Sequence, residues 1–212
     1  MQSIPVLAFK NSVLLPGVAI PLRVGRDQSV AALRQAYDRS SGKDRTILVI
    51  SQKVDTQDRE VNPDDLYRVG TLARIEKMKG NSTEGYQVFL RGLSRFRVDS
   101  ITASGGVLIA EGDIWNDIPD TDKGIQEALL TSLKSLASDI LKRLPIDTTQ
   151  LSELIAGIDD LSFLANLCAA NLDLDQDKKQ EILETVAVRD RVLKLLDVMK
   201  YYKDSLDVRG EI

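Results

Sequence analysis

Hydrophobic and polar positions alternate along the first half of the chain in the way that is typical of β-strands. The β-branched apolar run at 46–53 predicts a strand buried on both faces. Residues 68–78 and 85–98 alternate apolar with polar side chains around a turn-forming KGNSTEG segment, which predicts a long hairpin. Shorter strands are predicted over 5–10 and 19–25, and a last pair of segments flanks a turn at Gly105-Gly106.

The period changes after Trp115. The polar segment NDIPDTDKG (116–124) contains Pro119 and predicts a domain boundary. Beyond it apolar residues recur every three or four positions, which predicts helices over 125–144, 149–158, 161–172, 175–186 and 188–208. A helix at 26–40 and a single turn at 63–68 interrupt the strands. The pattern therefore predicts an α+β protein with a β-rich unit over 1–117 and an α-helical unit over 118–212.

Composition and charge argue against some classes of function for this protein. The chain has 212 residues, a net charge of −4 and a pI near 5.0, which argues against general nucleic-acid binding. The charge is uneven, since residues 1–118 carry 16 basic and 14 acidic residues and the remainder carries 12 and 18. No apolar run approaches the ~20 residues of a membrane span. The single cysteine, Cys168, lies on an apolar helical stripe and is predicted to be a buried structural thiol in a reducing, cytoplasmic setting.

The residues offer no catalytic, cofactor-binding or metal site. The chain has no histidine, and one cysteine cannot build a cysteine-rich metal site. A Gly-rich phosphate loop is absent from the sequence. The acidic clusters at 55–60, 63–66 and 171–177 are predicted to be helix caps and linkers. The basic residues Arg91, Arg95 and Arg97, which stand beside Phe89 and Phe96, leave RNA contact open as an alternative to ordinary strand alternation.

Five motifs together resemble the N-terminal domain of Lon proteases. The first two lie in FKNSVLLPGVAIPLRVGRDQSVAAL (9–33) and ILVISQKVDTQDREVNPDDLYRVGTLARI (47–75). The strand QVFLRGLSRFRV (87–98) carries the Gly-Leu-x-Arg pattern, and the rest is in DDLSFLANLCAANLDLDQDKKQEILETVAVRDRVLKLLDVM (159–199). The motifs follow one another in order and with compatible spacing over nearly the whole chain.

This resemblance implies a mostly antiparallel, PUA-like β pseudo-barrel followed by a helical bundle that ends in a long helix. It implies a non-catalytic region that recognises unfolded or degron-bearing proteins, misfolded and regulatory ones alike, and helps a homo-hexamer to assemble. The ATPase and protease domains, with ATP and Mg, are implied to lie elsewhere on the same polypeptide, so no cofactor is expected in this chain and no membrane partner. A piece of a longer protease and a free-standing protein-binding or PUA-like RNA-binding module both stay open.

A binder of unfolded protein needs exposed apolar surface. Pro-Gly turns are normally exposed, so the turn around Pro16 and the 68–98 hairpin are the predicted substrate-protein-binding surface. The alternative is that the leucines and the valine of this turn are core residues that close the barrel. The candidate residues are Leu14, Leu15, Pro16, Val18, Met78 and Tyr86.

Overall fold

The computed structural model describes residues 1–39 and 45–210. In that part of the chain the strands are β1 (Gln2–Phe9), β2 (Ala19–Val24), β3 (Thr46–Ser51), β4 (Val69–Asn81), β5 (Gly85–Ser104) and β6 (Val107–Ile114). The α-helices are α1 (Asp27–Arg39), α2 (Lys123–Lys142), α3 (Thr149–Ala156), α4 (Leu161–Asn171), α5 (Gln176–Leu183) and α6 (Val188–Gly210).

The predicted α+β class is confirmed: the strands and α1 come first, and helices α2 to α6 follow the last strand. The predicted turn at 63–68 is a short 3-10 helix, Pro63–Asp65. Residue 40, the last of the helix predicted at 26–40, lies outside the described residues. Among the described helices, none is both long and apolar enough to cross a membrane.

The β-sheet is mixed and almost closed on itself. Its strand order is β2-β5-β4-β3-β1-β6, and β5 also pairs with β6. Among the strand pairs of the described residues, β1 and β3 run parallel and the others are antiparallel. The second half of β5 therefore joins β4 to β6, and its first half carries β2 as an edge strand. This arrangement is the pseudo-barrel that the resemblance predicts.

Strand β3 separates two apolar clusters because it is buried on both faces. Ile47 and Val49 belong to one cluster, with Leu33 of α1 and Leu90 of β5. The intervening residues Leu48 and Ile50 belong to the other, with Phe96 and Leu108. The predicted doubly buried strand is confirmed, and it places α1 over one face of the sheet.

The Pro-Gly turn after β1 packs against the middle of β5. The Val18 amide donates to the Leu15 carbonyl at 3.2 Å, and Gly17 has φ +82°, as a type II turn requires. The Gly17 amide donates to the Gly92 carbonyl at 2.9 Å. A Cβ at Gly92 would lie 2.5 Å from the Leu15 carbonyl oxygen. The close approach therefore depends on a glycine far away in the sequence.

The chain divides into two compact units. One consists of Met1–Asn116 together with Asp175–Leu183, and the other of Asp117–Leu174 together with Glu184–Ile212. This division differs from the predicted 1–117 and 118–212 segments because α5 packs on the β-rich unit. Its Gln180 amide donates to the Val69 carbonyl at 3.0 Å, and the Arg95 guanidinium donates to the Leu183 carbonyl at 2.6 Å. The helical period of 175–186 does not predict these long-range hydrogen bonds.

The helical unit contains a fully buried guanidinium. Arg191 of α6 pairs with Asp117 at 2.5 Å and donates to the Ser162 hydroxyl at 2.8 Å. It also donates to the Thr185 carbonyl at 2.8 Å. The several partners offset the cost of burying a charge, which a single partner does not.

We expect Gly92→Ala to lower the free energy of unfolding by about 1–3 kcal/mol, because the added Cβ would lie inside the contact distance of a backbone oxygen. The matched control is Gly25→Ala, whose Cβ would meet nothing within 4 Å. We expect that change to be within about 0.5 kcal/mol of the parent. Urea unfolding followed by circular dichroism measures both, and equal stabilities would contradict the packing described for the turn.

We also expect a pH-dependent contribution from Asp65. The Arg59 guanidinium and the Asn62 amide hold the pKa of Asp65 down to about 2. A lowered carboxyl pKa stabilises the fold above the ordinary value of 3.8, and this stability is lost as the pH falls from about 4 towards 2. Asp65→Asn should therefore lower the Tm at pH 7, with the difference shrinking towards pH 2.5. Asp38→Asn, at an exposed position of α1, controls for the lost charge.

Candidate functional site

The predicted apolar surface around the Pro-Gly turn is not exposed. Leu15 has no exposed surface, Leu14 is 3% exposed, and Pro16 is also buried, while Val18 is half-buried. The turn is buried because it docks on Gly92 and because the Thr71 hydroxyl donates to the Leu14 carbonyl at 2.6 Å. The expectation of exposure is wrong here, and the alternative that Leu14 and Leu15 are core residues is confirmed.

The two hairpin residues of that predicted surface also face inward. Tyr86 is 8% exposed, and the half-buried Met78 packs against the same core cluster. Met78 lies opposite Val88 across the β4–β5 ladder, and cross-strand partners share a face. The residues that flank them, such as Lys77 and Gln87, are the exposed ones. Four of the six residues are therefore buried, and the other two, Val18 and Met78, are half-buried.

The three arginines on which the RNA-binding alternative rests, Arg91, Arg95 and Arg97, have different surroundings in the structure. Arg95 is 3% exposed and donates to the Leu183 carbonyl. Arg91 pairs with Glu76 at 2.6 Å, and the Arg97 guanidinium lies 5.3 Å from the centre of the Trp115 ring. Because the middle arginine of the three is buried, they do not form the continuous basic strand that the RNA alternative needs.

The Val-Gly-Arg element of the first motif has a structural role. The Arg26 guanidinium donates to the Gln52 side-chain oxygen at 3.2 Å and to the Ala8 carbonyl at 3.1 Å. Gln52 is 1% exposed, and its own amide donates to the Val54 carbonyl at 3.2 Å. These bonds join the end of β1 to the end of β3.

Acidic residues act as caps and ion-pair partners. Asp160 and Asp122 accept hydrogen bonds at the starts of α4 and α2, from Phe163 and Ile125 respectively. Asp147 accepts from the Thr149 hydroxyl and amide, and these bonds lower the pKa of Asp147. Over residues 1–39 and 45–210 we find no group of three or more acids or cysteines placed to hold a metal ion.

The helical unit contains an apolar cleft of about 180 Å³. Its walls come from α2, α3, α4 and α6, and from the segments that follow α2 and α4. Apart from the Asn171 amide, the Tyr202 hydroxyl and the Cys168 thiol, the lining side chains are hydrocarbons or a thioether. They are Ala137, Ile140, Leu141, Leu144, Leu151, Ile155, Leu167, Leu172 and Met199.

The floor of the cleft is buried and its rim is accessible. Ile155 and Met199 are 8% and 1% exposed, whereas Leu151 is 37% exposed. Helix α3 forms the rim, and its C-terminal end is tied to α2 because the Lys134 ammonium donates to the Ala156 carbonyl at 2.9 Å. Two further apolar residues, Leu154 and Ile146, are 57% and 68% exposed nearby in the sequence. Neither of these two lines the cleft, and it is the accessible Leu151 beside a buried apolar recess that is typical of a binding site.

Cys168 lines this cleft as an unreactive thiol. It is 9% exposed, and burial raises its pKa to about 12. The prediction of a buried structural cysteine is confirmed. Most of the side chains that line the cleft with it are apolar, so the site can bind hydrocarbon groups.

No local pattern in the sequence predicts this cleft. In α3 the residues Leu151, Leu154 and Ile155 stand at positions i, i+3 and i+4, which is an ordinary apolar stripe and does not distinguish a recess from a closed core. The tertiary structure brings α3 beside residues of α4, the next helix, and of α6, which follows much later in the chain.

Comparison with solved structures defines the fold class. The chain superposes on the N-terminal domain of a Mycobacterium avium complex Lon protease with a TM-score of 0.76 and 22% identity, over 94% of this chain and 98% of that one. A Lon N-terminal domain protein from Xanthomonas campestris gives a TM-score of 0.65, again at 22% identity, over 93% of this chain and 98% of that one. The β-rich and helical units therefore have the fold of Lon N-terminal domains.

Sequence comparison identifies the family. Residues 3–201 match the model of the ATP-dependent protease La (LON) substrate-binding domain, and the chain belongs to this family. It is 39% identical over 210 residues to Lon protease 1 of Bdellovibrio bacteriovorus and 32% identical over 211 residues to Lon protease 2 of Myxococcus xanthus. These alignments cover 99% and 100% of this chain but 26% and 25% of the relatives, so the chain spans about a quarter of their length.

We expect Cys168 to react slowly with a thiol reagent such as DTNB. At pH 8 a thiol with a pKa near 12 is ~10⁻⁴ ionised, whereas an ordinary cysteine is about a quarter ionised. Modification of the folded chain should be at least ~1000-fold slower than modification in 8 M urea, because far less of the thiol is ionised. The rate should increase as the pH is raised to 10. Equal rates in the two conditions would contradict the buried position of the thiol.

Proposed function

We propose that this chain binds unfolded polypeptide for a Lon-type ATP-dependent protease, with the apolar cleft of the helical unit receiving one aromatic or branched aliphatic side chain. The observation that carries the proposal is the cleft itself, which combines a buried hydrocarbon floor with an accessible leucine rim at Leu151. Membership of a substrate-binding family supports polypeptide as the ligand, because the substrates of a protease are proteins.

The size of the cleft fits a single side chain. A closed apolar cavity of about 150 Å³ can hold benzene, and this open cleft measures about 180 Å³. Burying one phenylalanine or leucine side chain contributes about 1.5–3 kcal/mol. The binding of any one side chain is therefore weak, and it depends on hydrophobicity and size rather than on a particular sequence. Such tolerance suits a site that must accept many unfolded proteins.

We extend the proposal to the whole protein. The ATPase and protease domains, with ATP and Mg, are placed in the remaining three quarters of the relatives' length, and this chain takes no cofactor of its own. Misfolded and regulatory proteins are the proposed substrates, and a homo-hexamer in the cytoplasm is the proposed assembly. The lengths of the relatives and their shared name, Lon protease, support this extension.

The test uses an uncharged 15-residue peptide of Gly, Ser and Thr with two Phe residues and blocked ends, titrated into the 212-residue chain and followed by NMR. We expect Leu151→Asp to weaken binding at least ~fivefold, because it puts a carboxylate at the mouth of an apolar cleft. Leu154→Asp is the matched control, since it changes a leucine of the same helix that does not line the cleft, and it should leave the affinity unchanged.

The outcomes separate the site from the function. If Leu151→Asp binds the peptide as tightly as the parent and has an unchanged circular dichroism spectrum, the cleft is not the peptide-binding site. No binding of the Phe peptide by the parent chain, or equal binding of a peptide in which Ser replaces both Phe residues, would refute recognition of apolar side chains.

A further inference from the structure

The outer face of β2, β5 and β4 in the β-rich unit is strongly cationic. The register of the two ladders arranges outward residues in rows, with Arg23, Gln87 and Lys79 in the first row. Pro21, Phe89 and Lys77 form the second row, and Ala19, Arg91 and Arg74 form the third. The cations of this cationic strand face are Arg23, Arg74, Lys77, Lys79 and Arg91.

One acid on this face is already paired. Glu76 lies at the irregularity between Ile75 and Lys77, and its carboxylate accepts from the Arg91 guanidinium at 2.6 Å. The four other cations of the face are exposed, and they belong to a chain whose net charge is −4. A concentration of positive charge against the overall sign attracts negatively charged ligands to this particular face.

The charges flank an apolar row. Phe89 is half-buried in the middle of the face and Pro21 is exposed beside it, so the second row offers a ring surface next to the Lys77 ammonium. Successive rows are ~7 Å apart, because outward residues of a strand are two positions apart. The first and third rows are therefore ~14 Å apart, with apolar surface between them.

We propose that the cationic strand face binds an extended polypeptide segment in which carboxylates stand two residues before and two residues after an apolar side chain. In an extended peptide, residues i, i+2 and i+4 point to one side at the same ~7 Å spacing. The two carboxylates then meet the cations of the first and third rows, while the apolar side chain covers Phe89. The inference builds on the proposed function, since its ligand is again a polypeptide, but it uses a different site.

The pattern favours a polypeptide over single-stranded nucleic acid. Proteins that bind single strands usually stack successive bases on several aromatic side chains along a basic groove. The face described here presents one ring, Phe89, and alternates charge with apolar surface.

The experiment compares two rhodamine-labelled peptides of the same composition by fluorescence anisotropy in 50 mM salt. One has the core Asp-Ser-Phe-Ser-Asp, and the other has Ser-Asp-Phe-Asp-Ser, which turns both carboxylates to the opposite side of an extended chain. We expect the first peptide to bind at least ~fivefold more tightly and to lose affinity in 500 mM salt, because exposed charges are then screened.

Variants connect this binding to the face. Lys77→Glu/Lys79→Glu should weaken binding of the first peptide about tenfold, which corresponds to about 1.4 kcal/mol. Lys142→Glu/Lys200→Glu, which makes the same charge change at exposed positions of the helical unit, should change it less than twofold. Glu76→Gln frees the Arg91 guanidinium and should strengthen binding two- to threefold, a gain that loss of folding cannot produce.

Each result decides between alternatives. Equal affinity for the two peptides, or no effect of the Lys77 and Lys79 changes, would overturn the proposal. Tighter binding of a 15-nucleotide uridine strand through the same lysines would assign the face to nucleic acid instead. If the Phe peptide without charges still depends on Leu151, the proposed function stands even when the acidic peptides fail to bind.

Discussion

The arrangement of the β-rich unit depends on one constraint, the register of the twenty-residue strand β5. This strand pairs with β2, β4 and β6, so three neighbouring strands fix which of its side chains point into the core and which point outward. Tyr86 and Leu90 point into the core, and the intervening Phe89 must face outward. A shift of the register by one residue would exchange the inward and outward side chains, and the apolar side chains would then be exposed to water. The same strand carries Gly92, on which the Pro-Gly turn docks.

Local rules predict the elements of this protein well, whereas the exposure of individual residues depends on distant parts of the chain. The doubly buried strand β3 follows from its own apolar run, and the starts of α2 and α4 follow from Asp122 and Asp160. Leu15 looks exposed because Pro-Gly turns usually are. It is buried because Gly92, 77 positions later, leaves room for it.

The candidate cleft shows the same limit for function. The family resemblance predicts the class of protein, and the family match confirms it over residues 3–201. Neither the resemblance nor the family match identifies the side chains that contact a ligand. The cleft combines Ala137 of α2 with Leu151 of α3 and Tyr202 of α6, and no local pattern places these residues together. The helical period predicts which face of each helix is apolar, but a recess forms only where those faces fail to close against one another.

The two proposed sites respond to different properties of an unfolded chain. A folded protein hides most of its phenylalanine and leucine side chains, so an apolar cleft distinguishes unfolded from folded ligands without regard to charge. The cationic strand face adds a requirement for carboxylates at a set spacing around one such side chain. Because the cleft belongs to the helical unit and the face to the β-rich unit, changes at Leu151 and at Lys77 alter separate terms of the binding free energy. Sites without shared partners usually contribute additively. Under the two proposals a polypeptide with both features has two sites to bind, while one with only exposed apolar residues has the cleft alone.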